Sequence, residues 1–184
     1  MYTLFSSSIT QIIKREHMTT ECRKKRNLYI IGGLIFSAVL ALVGHSLFFD
    51  RLLPVTGVTH LDFGTFSLNS NPNQFLVCSP NLCTETPHMT SPVYSFPAET
   101  LAADWDDMIN RQSNIELLFE DQPLNQRDYV QRTPLMRFPD IITVRFYRLP
   151  NGMSTLAIYS RAIYGKSDFG VNKARIESWL REIP

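Results

Sequence analysis

The chain has 184 residues and a formal net charge of +1, enough length for one domain with its own core and a separate segment beside it. The charge is unevenly divided: residues 1–49 carry 6 basic and 2 acidic groups (+4), and residues 50–184 carry 12 basic and 15 acidic groups (−3), which together give +1. A mildly acidic body excludes an extended nucleic-acid footprint, because phosphate binding draws on clustered Lys and Arg.

The first predicted element is a transmembrane helix at 28–49, behind a basic, cytoplasmic N-terminus at 1–27. From Leu28 to Phe49 there is no Asp, Glu, Lys or Arg, and at ~1.5 Å per residue such a run spans ~33 Å, enough to cross a hydrocarbon core. Lys14, Arg15, Arg23, Lys24, Lys25 and Arg26 precede it, whereas only Asp50 and Arg51 follow closely. The positive-inside rule then predicts a single-pass inner-membrane protein with its N-terminus in the cytoplasm and its domain in the periplasm. The alternative is a cleaved signal peptide starting at Met18, but the apolar run exceeds the usual h-region and no A-x-A site closes it. Cys22 precedes the run instead of ending it, which argues against lipoprotein anchoring.

Residues 50–72, rich in Gly, Thr, Ser and Asn with one apolar alternation at LDFGTFSL, read as a juxtamembrane connector to a domain at 73–184. Gln74–Cys78 is a short strand candidate, and Ser79–Ser95 reads as loop, punctuated by Pro80, Pro87 and Pro92. Within that loop, Cys78 and Cys83 could form a disulfide on the oxidising side of a membrane, or remain two reduced thiols. A metal site is the weakest reading, since C-x4-C has no second ligand pair.

Pro97–Arg111 predicts a helix, with proline in the first turn, Glu99 near the N-terminus, and Leu101, Trp105 and Met108 at i, i+4, i+7. Ile115–Glu120 and Arg127–Thr133 predict two strands around a polar turn. Ile141–Arg161 predicts a hairpin. A two-residue Asn151-Gly152 turn would put Arg161 opposite Ile142 on the apolar face. A three-residue loop, Asn151 to Met153, instead pairs Val144 with Ser160 and Phe146 with Ile158, and places Arg145, Tyr147, Tyr159 and Arg161 on the other face. Asn172 to Glu182 predicts the last helix, with Asn172 as N-cap and Ile176, Trp179, Leu180 and Ile183 facing a core. The sum is an α+β fold: an antiparallel sheet with two packed helices on one face, behind one N-terminal transmembrane helix.

The run after the hairpin, S-R-x-x-x-G-x-S-D-F-G-V-N-x-x-R, contains Ser160, Arg161, Gly165, Ser167, Asp168, Gly170, Asn172 and Arg175. Together with Q-R-T-x-x-x-R-F-P-D-I-I at Gln131–Ile142, it resembles the bacterial and plastid family of domains of unknown function numbered 1499, over roughly Asn73–Leu180. The resemblance implies an envelope or membrane-associated domain, and neither a reaction nor catalytic residues.

Physically, Gly165 and Gly170 permit a tight strand-to-helix turn, and Asp168 and Asn172 can take up free N–H groups at the helix start. That makes the motif a structural corner. The functional reading adds that a helix start attracts anions, with Arg161, Lys166, Ser167 and Arg175 close in sequence and Arg145 and Tyr159 in the hairpin. An anionic lipid, a cell-wall fragment or an envelope protein is the expected partner of a non-catalytic module without cofactor or metal. The rival class is an envelope hydrolase with Ser160 or Ser167 as nucleophile, Asp168 as orienter, and His88 or His60 as base, though no G-x-S-x-G elbow is present. Gly165-Lys166-Ser167 lacks the first P-loop glycine, since position 160 is Ser160. Asp168-Phe169-Gly170 lacks the other kinase motifs. Arg137 and Asp140 read as structural ion pairs, with Pro139 restricting entry into a strand.

Overall fold

A computed structural model describes residues 3–56 and 61–184, with side chains described from residue 27 onward. The chain forms two compact units, one through Phe48 and one comprising Phe49–Pro184. Helix α1, Thr3–Leu52, makes the first unit and ends with the opening residues of the second, and it contains a 26-residue stretch, Asn27–Leu52, long and apolar enough to cross a membrane. The candidate base His60 lies outside the described residues.

The second unit is an antiparallel sheet with two helices. Its elements are β1 (Gln74–Val77), β2 (Val93–Tyr94), α2 (Ala98–Ile109), β3 (Ile115–Asp121), β4 (Gln126–Arg132), β5 (Pro139–Arg148), β6 (Ser154–Ala162) and α3 (Val171–Glu182). The strand order is β1-β6-β5-β4-β3. Strand β2, which falls inside the stretch expected to be loop, pairs with the start of β6, while β1 pairs with its end. A bulge between Leu117 and Phe119 interrupts the β3–β4 ladder.

The β5–β6 hairpin corrects the expected register. Val144 pairs with Ile158 and Phe146 with Leu156, around a loop of Pro150, Asn151 and Gly152 closed by Leu149 N–H donating to Met153 O at 2.8 Å. The loop has three residues but begins one position earlier than expected. Pro150 has no N–H to contribute to the ladder, so pairing ends before it. Asn151 and Gly152 both turn left-handed there (φ 60° and 71°). The slip is two residues, which leaves every side chain on its expected face because the strand period is two.

One face of the sheet is covered by α2 and α3. Leu101, Trp105, Met108, Ile176 and Trp179 pack there on Val77, Ile142, Val144, Phe146 and Ile158. Trp105 meets Phe146 and Trp179 edge to face, with centroids 6.0 and 5.7 Å apart. The other face, expected to be open, is covered as well. Leu61 and Phe63 are buried on Leu76, Cys78, Ala157 and Tyr159, with Phe66 and Leu68 packed against them. Thus part of the stretch read as a connector acts as a strap over the sheet. Thr84 N–H donates to Phe63 O at 3.3 Å, and the Thr84 hydroxyl donates to Gly64 O. Cys78 and Cys83, joined as a disulfide, lie under the same strap.

Candidate functional site

The end of β6, the turn after it and the start of α3 form a corner built around Asn172. Helix α3 starts one residue earlier than expected, with Gly170 in the N-cap position at φ 81°, a left-handed conformation that glycine adopts without penalty. Asn172 therefore caps nothing; it is fully buried and its amide is saturated. Its Oδ1 accepts from Ser160 Oγ at 2.5 Å and from Arg175 Nη1 at 2.7 Å. Its Nδ2 donates to Asp168 Oδ2 at 2.8 Å and to Asn73 O at 3.2 Å. Asn73 in turn donates to Gly165 O at 2.7 Å. A primary amide has two donors and two acceptor lone pairs, and all four are used.

Arg175 closes the network. Its guanidinium donates to Ser160 Oγ at 3.1 Å and to Asp140 Oδ2 at 2.5 Å, and the side chains of this pair are only 8% and 6% exposed. Burial pushes the Asp140 carboxyl above its ordinary range, while Arg175 pulls it back. Asp168 behaves oppositely. Burial tends to raise it, but the Asn172 backbone and side-chain amides and the Gly170 N–H, at 2.8, 2.8 and 3.1 Å, prevail and hold it below the usual carboxylate range. The positive end of α3 is thus occupied by the protein's own carboxylate.

The sheet separates the remaining candidates. Ser160, Asn172 and Arg175 lie on the helix side; Arg145, Tyr159 and Arg161 lie in alternate positions on the strap side. Arg161 sits 5.1 Å from the centre of the Tyr159 ring, and Arg145 lies 5.1 Å from the Tyr147 ring and 4.0 Å from Asp62. Burial depresses the Arg161 guanidinium, with Tyr159 and Asp128 opposing, and raises the Tyr159 hydroxyl. Lys166 and Ser167 are exposed in the turn, and Ser167 Oγ accepts from Phe169 N–H at 3.2 Å. The eight residues therefore divide among a buried core network, an exposed turn and the opposite sheet face.

Among the described residues, no hydrogen bond joins the members of the hydrolase constellation. The Ser160 hydroxyl donates to Asn172 and accepts from Arg175, neither of which is a base. His88 stacks on Phe75, and its Nδ1 accepts from Leu76 N–H at 3.0 Å. Among the described residues no group of His, Cys, Asp and Glu has the geometry to hold a metal ion.

The feature that sequence reasoning passed over is Phe169. It is 96% exposed and its backbone is left-handed (φ 54°), an uncommon conformation for a bulky residue that costs on the order of 1–3 kcal/mol. The Ser167 and Asp168 side chains, bonding the N–H groups of residues 169, 170 and 172, hold the turn in that shape. Beside Phe169 a cleft of about 280 Å³ opens between Phe138, Ala162, Tyr164 and Val171, largely apolar, with Asp140 and Asp168 in its polar wall. A wider cleft of about 550 Å³ near α2 is lined by Arg127 and Arg148, which already pair with Asp106 and Glu120 and with Glu99. The smaller cleft joins both halves of the sequence motif, 131–142 and 160–175.

That composite of β5 entry, turn and helix start lies within the span matched by a family model: residues 67–183 match the family described as protein of unknown function (DUF1499). The chain belongs to DUF1499. The match takes in the whole sheet and both helices but begins after Leu61, Phe63 and Phe66, so most of the strap lies outside it. No curated protein and no solved structure matches the chain.

Proposed function

We propose that this DUF1499 chain is a single-pass membrane protein with a cytoplasmic N-terminus and a periplasmic domain, and that the domain is a non-catalytic module binding the apolar part of an anionic envelope amphiphile. Two observations support the topology: the basic residues before an apolar span, and the Cys78–Cys83 disulfide, which persists in an oxidising compartment. The observation that carries the binding function is Phe169. An aromatic ring left in water on a strained, internally braced turn, beside an apolar cleft, has no folding purpose. The ligand chemistry moves from a bare anion at the helix start, where Asp168 already sits, to an apolar chain in the cleft, with exposed Lys166 to meet an acidic headgroup.

Full-length protein in liposomes doped with a diazirine-bearing phosphatidylglycerol tests this reading. Irradiation is expected to give adducts on peptides covering 133–140 and 162–171, reduced several-fold in Ala162→Phe, which fills the cleft. Adducts confined to 27–52 would refute cleft binding. A phosphatase reporter after Pro184 should be active, and an inactive one reverses the topology.

A further inference from the structure

We propose that the rim of this cleft is a membrane-docking surface, seating Leu135, Met136, Phe138, Phe169 and Val171 in the interfacial layer of the bilayer that anchors the chain. The inference rests on the anchored reading above. These five side chains are 72%, 43%, 40%, 96% and 43% exposed; Leu135, Met136 and Phe138 come from the β4–β5 loop and Phe169 from the β6–α3 loop, with Val171 at the start of α3, and Phe138, Phe169 and Val171 line the cleft itself. Exposed apolar residues gathered at one place mark a contact surface.

The occupant follows from what holds the two loops. Asp50 is the first residue after the uncharged run 28–49. Its carboxylate accepts from Arg137 Nε and Nη2 at 3.0 and 2.8 Å and lies 3.3 Å from Arg132 Nε. This hydrogen-bonded pairing raises the already high Arg137 pKa. Arg132 Nη1 donates to Leu53 O at 3.1 Å, and the Tyr164 hydroxyl donates to Pro54 O at 2.8 Å. Both loops are therefore stitched to the five residues through which the chain emerges from the span. Leu135 and Met136 are two residues and one residue from Arg137, so at ~3.5 Å per residue they stand within about 7 Å of the backbone of the residue that grips Asp50. The interfacial layer reaches a comparable distance from the hydrocarbon edge, and Phe and Leu are the side chains that partition into it. Arg51 and Lys166, both exposed, supply cations for lipid phosphates at that depth.

The test uses full-length protein in phosphatidylethanolamine–phosphatidylglycerol liposomes carrying shallow doxyl-labelled lipid. Trp105 and Trp179 are buried, so the native fluorescence forms a weakly quenched background. Leu135→Trp and Phe169→Trp are expected to add emission quenched several-fold more than that of Val93→Trp, which sits on β2 at the other end of β6. Equal, weak quenching of all three in protein that resists carbonate extraction would overturn docking while leaving the anchor intact. Protein released by carbonate would instead sink the anchored reading itself. Ala162→Phe separates docking from cleft binding, because it should reduce cleft adducts several-fold and leave Leu135→Trp quenching unchanged.

Discussion

On one face of the sheet, two helices bury a continuous apolar surface centred on Trp105 and Trp179; on the other, an irregular strap rests on Phe63 and Leu61, tied down by Thr84 and the Cys78–Cys83 loop. The helix face spreads its stabilisation over many contacts that recur with the helical period. The strap face concentrates it in a few anchors. The first arrangement should fail as a whole and the second locally, because cooperative units follow contact density.

The sharpest test of the helix side is Asp140→Ala, which leaves Arg175 buried without its carboxylate. Removing one partner of a buried pair is expected to lower domain stability by about 3–5 kcal/mol, read by chemical unfolding of the full chain. Phe63→Ala removes a fully buried ring from the strap side, a change of about 3 kcal/mol at the low end for such truncations. Here hydrogen exchange should rise across 61–84 while α2 stays protected; uniform deprotection would erase the distinction between the faces. Reducing the disulfide should act in the same place with a smaller effect. A loop closed across five positions is worth about 2 kcal/mol by chain entropy, and protease susceptibility near the strap should report it.

The smallest effect lies at the corner and depends on pH. Asp168 is held below its unfolded value of about 3.9, so its contribution is present above that pH and is lost as pH falls through its lower folded value. Asp168→Asn should remove this acid limb from a plot of stability against pH and leave the neutral region less stable. An unchanged limb would mean that other carboxylates, Asp140 excepted, carry it. Asp140 runs the other way: a raised folded value favours the protonated form, and its contribution declines as pH rises.

Much of the helix face was legible because it is periodic. Leu101, Trp105 and Met108 announced α2 and its inward side, and Ile176 and Trp179 did the same for α3. The hairpin faces were right despite a two-residue slip, since binary pattern fixes parity and not register. The strap was hidden because Phe63 and Phe66 lack regular structure around them, and β2 is too short to have a pattern. The corner network was partly visible as a motif, but Asn172 meets Asn73 across 99 positions, a pairing no local rule proposes. Phe169 was read as part of a coincidental triplet, because nothing in a sequence distinguishes a buried phenylalanine from one held in water.

The broken outlines of the sheet have a further consequence. Along one margin β6 is flanked by a four-residue and a two-residue strand from distant segments; along the other, β3 is bulged and bears Glu116, Glu120 and Asp121. Neither margin offers the long, flat row of free amides and carbonyls that templates a neighbour's strand. In the anchored protein proposed above, where copies would collide far more often than in solution, such ragged margins keep those collisions from growing into aggregates.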